Sequence, residues 1–210
     1  NAAPSFIGHA IKDLKFSNGR LMFLSEDKII KSETNRLFNF WRTTTVTLLD
    51  SDPIDARDQA QTGASDQKPA FLNWALPFAD RDLLFTEFAV FSAQGEPVMS
   101  PRTFSIKVAE TLDNSTLCAP VAFRRSAFFA QQRGDFSAVY ELTSSGEGFS
   151  QSSVNVTAQV PRYIPGAIAR LACSSAESVL VKICDGQRQS IFVYNWEDNG
   201  NQRIQSAWYR

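Results

Sequence analysis

At 210 residues the chain is long enough to bury a sizeable core, and its formal net charge of −1, with no basic block, argues against a sustained electrostatic grip on nucleic acid while leaving room for a surface past which it slides. A hydrophobic content of 43% against 20% charged residues fits a globular chain, and seventeen Phe and four Trp beside a single His point to aromatic packing rather than histidine chemistry. Cys118, Cys173 and Cys184 stand far apart with no C-x-x-C pair, which argues against a disulfide framework or a zinc site and for buried, reduced thiols.

No apolar run approaches the ~18 to 20 residues that cross a bilayer, so stable membrane insertion is not expected. Asn1-Ala-Ala-Pro-Ser-Phe-Ile-Gly8 has neither the basic start nor the apolar core of a signal peptide. The missing initiator Met and the strand-like ending Ala207-Trp-Tyr-Arg210 fit an internal piece of a longer protein.

The first organised stretch, residues 14–33, reads as short β runs joined by tight turns. Asn18-Gly19 is the dipeptide best suited to a two-residue hairpin, because both residues tolerate positive φ. Leu21-Met-Phe-Leu24 is then a continuous apolar run, as expected of a strand covered on both faces. Glu26-Asp27 turns the chain into Ile29-Ile30, and residues 32–35 turn it again before the aromatic run Leu37-Phe-Asn-Phe-Trp41. Further inner runs are expected at 83–85, 127–130 and 179–183. Each inner run has an apolar stretch before it (11–16, 71–78, 119–123, 167–173) and after it (28–32, 89–92, 136–140, 191–196). Polar turns separate them at Asp80-Arg-Asp82, Arg124-Arg125, 131–135, 174–177 and 185–189. A polar stretch at 50–68 is expected as an inserted surface loop, with a helical turn or two at 54–61 after Pro53.

Strands at regular spacing with no helices between them leave a sandwich, a barrel or a propeller. A spacing of ~45 residues favours a propeller-like all-β segment of about four blade-like antiparallel meanders, few enough for an incomplete ring, with a β-sandwich as the alternative. The units fall at 9–49, 69–112, 117–160 and 165–210 of one continuous segment.

Pro4-Ser-Phe-Ile-Gly8, Phe16, Arg20-Leu21, Phe23-Leu-Ser25, Ile30, Ser32 and Phe38-Asn-Phe40 together resemble the nozzle proteins, or tail tubular proteins B, of short-tailed bacteriophages. Asp50-Ser-Asp-Pro-Ile-Asp55 is similar to that family's acidic D-x-D-P-I-D signature. Ala75-Leu-Pro-Phe78 with Leu83-Leu-Phe85 is similar to its next strand pair, and Val160-Pro-Arg-Tyr-Ile-Pro165 to its V-P-x-Y-I-P turn. The sequence departs from the pattern at Asn18-Gly19 and Met22. The resemblance marks Arg20, Leu21, Phe23, Phe40, Asp50, Asp52, Pro53, Asp55, Pro161, Tyr163 and Pro165 as structural motif residues. It implies an internal segment of a virion tail protein, assembled in the host cytoplasm as a homo-oligomeric ring of typically six copies. That ring would lie below a tail adaptor protein, near the tail fibres or spikes, with double-stranded DNA passing transiently through it.

Other readings compete at particular residues. Asp50, Asp52 and Asp55 could hold a hard cation, but the D-x-D-x-D-G spacing is absent and Pro53 stiffens the segment, so turn and cap roles are favoured. Propellers also host sugar chemistry: Asp82 with Glu87 in neighbouring strands, or Glu141 with Glu177 at unit ends, would be the carboxylates of a glycoside hydrolase. Trp41, Trp74, Trp196 and Trp208 are expected in inter-blade packing, with glycan stacking on Trp74 or Trp196 as the lectin alternative. Arg20 is expected to tie strands through Asp13 or Glu33. His9 is expected to serve only local hydrogen bonding, and Arg124-Arg125 to be a solvated turn rather than a DNA contact. With no Gly-rich phosphate loop, no nucleotide or other cofactor is expected.

Overall fold

A computed structural model describes residues 3–57, 71–78, 80–145, 148–149, 153–174, 176–199 and 202–210. All regular structure among these residues is β, and the chain divides into two compact units, Asn1–Asp113 and Asn114–Arg210.

Unit 1 begins with an up-and-down sheet of β1 (Asp13–Ser17), β2 (Arg20–Ser25), β3 (Lys28–Lys31) and β4 (Ile54–Arg57), in that spatial order. Asn18 and Gly19 form the expected two-residue hairpin, with φ of 52° and 69°, the pair of positive angles a type I′ turn requires. A second sheet runs β5 (Trp74–Phe78), β6 (Arg81–Phe85), β7 (Val90–Gly95) and β8 (Phe104–Glu110). The two sheets share a core of Met22, Leu24, Ile29, Leu72, Ala75, Leu84, Phe91 and Ala93. Inward parity on β2 belongs to Arg20, Met22 and Leu24, so the run at 21–24 is not buried uniformly. Its other face presents Phe23, which is covered by stacking on Phe40 at 5.0 Å and by the edge of Phe6 at 5.3 Å.

Unit 2 carries β9 (Val121–Phe123), β10 (Ser126–Arg133), β11 (Phe136–Ser145) and β12 (Gly148–Phe149) in sequential order, with β13 (Val154–Asn155) also on β11. Its second sheet runs β14 (Ile168–Cys173), β15 (Val179–Cys184), β16 (Ile191–Asn199) and β17 (Gln202–Tyr209). Phe123, Phe128, Val139, Ile164, Leu171, Leu180, Phe192, Tyr194 and Trp196 fill the space between these sheets. All four sheets are blade-like antiparallel meanders, and none closes into a barrel among the described residues.

The structure corrects several boundaries. Ile54–Arg57 is a strand rather than a helical turn, pairing Ile54 with Lys31 and Asp55 with Ile30. Pro53 stands just outside that ladder, where its missing N–H breaks no strand bond. The expected inserted loop therefore opens with a turn at 50–53 and continues as strand at Ile54–Arg57, and its remainder from 58 to 68 lies outside the described residues. At 131–135 only Gly134-Asp135 turns the chain, because Gln131, Gln132 and Arg133 continue the pairing with β11. Arg81 and Asp82 likewise belong to β6 rather than to a turn. The outer strand β8 was not anticipated from the sequence.

Candidate functional site

The residues shared with the nozzle-like motif converge in unit 1 around Arg20. The hairpin and the inward parity of β2 bury this side chain, leaving it 1% exposed. Its Nη1 donates to the carbonyls of Ser32 and Asp52, both at 2.7 Å, and its Nη2 to the carbonyl of Asp50 at 2.9 Å. The expected carboxylate partners are engaged elsewhere. Asp13 accepts from the Ala75 N–H at 2.9 Å, and Glu33 accepts from Asn39 Nδ2 at 2.5 Å. Two of these carbonyls lie in the sharp turn at 50–53 and one just after β3, and a planar guanidinium with five donors satisfies all three at once. Burial lowers the Arg20 pKa, and the charges of Glu33 and Asp52 oppose that shift.

The three motif carboxylates spread out rather than converge on one point. Asp52 is fully buried; Oδ2 accepts from the Leu49 N–H at 2.9 Å and Oδ1 from the Thr43 N–H at 3.4 Å. Asp55 Oδ2 accepts from the Ser5 N–H at 2.8 Å, and Asp50 contributes its carbonyl to Arg20. Asp52 thus braces the loop instead of capping a helix. Together with Arg102, which donates to the Leu48 carbonyl at 2.5 Å, these bonds pin the long β3–β4 connection. Phe38 and Val46 on that connection are 88% and 90% exposed. A cavity of about 470 Å³ lies at its base, lined by Phe40, Arg42, Leu48, Pro53, Asp55 and Phe104 among others.

The second motif cluster shapes unit 2. Between Pro161 and Pro165 the chain buries Ile164, whose carbonyl accepts from the Ser137 N–H at 2.9 Å. Tyr163 meets the Phe192 ring edge-on at 5.6 Å, and Pro165 bridges to Phe136. The V-P-x-Y-I-P turn therefore ties β11 to the sheet that follows.

Of the four carboxylates considered for sugar hydrolysis, Asp82 and Glu141 are held by basic side chains. Asp82 is fully buried in an ion pair with Lys31, which also lies 3.3 Å from Ser17 Oγ. Burial lowers the Lys31 pKa and Asp82 opposes the shift. Glu87 is exposed in the turn after β6, not on a neighbouring strand. Glu141 accepts from both Nη atoms of Arg203, at 2.5 and 3.1 Å, and from Ser126 Oγ at 2.7 Å. Burial alone would lower the Arg203 pKa, but these bonds raise it above the ordinary value. Glu177 lies exposed in the loop before β15.

Trp196 is 4% exposed and enclosed by Phe123, Phe128 and Tyr194, so its ring has no free face for a sugar. Trp208 donates Nε1 to the Val156 carbonyl at 2.9 Å, while Trp74 is half-buried with no acceptor for Nε1 among the described residues. His9 Nδ1 lies 3.1 Å from Glu26 Oε1, a local contact as expected. Arg124 and Arg125 are exposed at a hairpin tip. Cys118 and Cys184 are buried free thiols and Cys173 is half-buried; burial pushes Cys118 and Cys173 up to about 12.

Two buried lysines escaped the sequence reading. Lys31 carried no warning, since both faces of β3 are covered. Lys182 did, because Val179–Cys184 alternates outward and inward and places a lysine on the buried parity between Leu180 and Cys184.

Comparison with known proteins matches residues 1–210 to the family described as bacteriophage nozzle protein. The chain is also 27% identical over 209 residues to the tail tubular protein gp12 of Escherichia phage T7. That alignment covers 99% of this chain and 26% of the relative, so the chain spans about a quarter of the relative's length.

Proposed function

The chain belongs to the bacteriophage nozzle protein family, and on that premise we propose that it is a structural segment of a phage tail nozzle, working by shape and assembly. The observation that carries this reading is the family match, which runs unbroken through both units. The use of the buried charges supports it: Arg20, Lys31 with Asp82, and Glu141 with Arg203 each tie strands or loops within one unit. In the complete protein, copies assemble as a ring, six in number, that meets the tail adaptor and the fibres or spikes. The pinned β3–β4 loop, with Phe38 and Val46 turned outward, has the apolar character an assembly surface needs.

DNA passes such a wall without being held. A chain of net charge −1 releases few counterions on contact with a duplex, so binding is weak at physiological salt. The test is placement in the particle: an epitope inserted between Gln187 and Arg188, at an exposed turn, and gold-labelled antibody on intact virions. Label at the distal end of the tail supports the reading, and tagged particles that are infectious yet carry no such protein overturn it. Tight, salt-sensitive duplex binding by the purified chain would separately contradict the passive wall.

A further inference from the structure

Lys182 sits at the centre of unit 2, 1% exposed, and its Nζ has no hydrogen-bond partner among the described residues. A buried ammonium without an acceptor is among the costliest arrangements a core can hold, and such groups normally shed their proton. Aromatic rings close around the amine instead. Phe192 is its cross-strand partner on β16, with the ring centre at 5.2 Å, and Trp208 of β17 lies at 4.3 Å. β14 opposes it with the apolar Leu171.

Among the described residues, the titratable groups around the amine give it no carboxylate counter-ion. They are Cys184 on its own strand, Cys173 on β14, Tyr194 on β16, Tyr163 at the edge of Phe192, and Cys118 in the same core. Arg210 lies over the Phe192 ring and is itself a cation. The carboxylates of Glu141 and Asp198 are taken up by Arg203, which also donates to the Tyr194 hydroxyl.

We propose that Lys182 makes unit 2 proton-sensitive: uptake of a proton by this enclosed amine loosens strand β17, whose Trp208 closes over it. β17 is the element that yields because it is an edge strand, paired only with β16 among the described residues, whereas β15 is held on both sides. Rings alone stabilise the ammonium partially, by cation–π attraction. Burial pushes the amine down to about 7, with Cys184 opposing, so the change falls near neutral pH. The sign follows from linkage. The unfolded chain keeps its lysine proton up to pH ~10.4 while the folded chain gives it up near 7, so stability rises with pH between those values and the penalty is complete below them.

The test compares the full chain with Lys182→Met and Lys182→Arg, following amide exchange in β17, corrected for intrinsic rates, from pH 6 to 9. Protection in β17 is expected to fall about tenfold on acidification in the original chain, to stay flat in Lys182→Met, and to be low throughout in Lys182→Arg, which cannot neutralise. Parallel profiles for the original chain and Lys182→Met would overturn the proposal. Direct NMR titration of the lysine side chain in the unmodified protein decides the matter even if a variant misfolds: titration near neutral pH sustains it, and titration near the free-lysine value refutes it.

Discussion

The two units bury a lysine each and handle it in opposite ways. In unit 1, Lys31 meets Asp82 across two sheets, so charge is met by charge. In unit 2, Lys182 meets rings, and its amine has no hydrogen-bond partner among the described residues. The difference teaches that burial alone does not fix what a charged residue does for a fold. A paired ion becomes expensive when its partner is removed, whereas an unpaired one is a standing cost that removal relieves.

The largest effect should come from breaking the pair. Lys31→Met leaves Asp82 as an uncompensated buried carboxylate and should cost about 3–5 kcal/mol in denaturant unfolding, while adding Asp82→Leu should recover much of the loss. A double variant no better than the single one would show that the pair is more than a local charge balance. Next comes the clamp: Arg20→Met strands the carbonyls of Ser32, Asp50 and Asp52 and should cost about 3 kcal/mol. Limited proteolysis should then cut the β3–β4 loop first. Lys182→Met should change sign relative to Lys31→Met, stabilising the protein by about 1–3 kcal/mol at pH 6 and by less at pH 9.

Gly19→Ala should cost about 1 kcal/mol, since the turn needs positive φ there and a Cβ would lie 3.2 Å from Asn35 Oδ1. The smallest effect concerns the thiols. Cys118 and Cys184 should resist alkylation in the native state and react together once unit 2 opens, which a mass-spectrometric time course would register.

Much of this architecture was legible because local chemistry wrote it down. Asn18-Gly19 encodes its own hairpin, and apolar runs such as 179–183 mark inner strands whatever lies around them. The outer strand β8 was illegible because Ser105 and Lys107 alternate with Phe104, Ile106 and Val108, so no continuous apolar run marks it. The motif was legible as a resemblance, but its geometry was not. Arg20 finds backbone carbonyls 12, 30 and 32 residues away, and a carbonyl has no letter in the sequence. A carboxylate partner was the natural expectation, and Asp13 was instead drawn to the Ala75 amide of the next sheet. The trace of Lys182 was a single residue out of keeping with its strand's alternation.

The contrast lies in the two buried lysines, Lys31 matched by the carboxylate of Asp82 and Lys182 left without an acceptor among the described residues. Equilibrium unfolding of Lys31→Met and Lys182→Met side by side at pH 6 tests this most directly. The account predicts shifts of opposite sign, downward for Lys31→Met and upward for Lys182→Met. Two losses of similar size would contradict it, because they would mean that each lysine is held by contacts of the same kind.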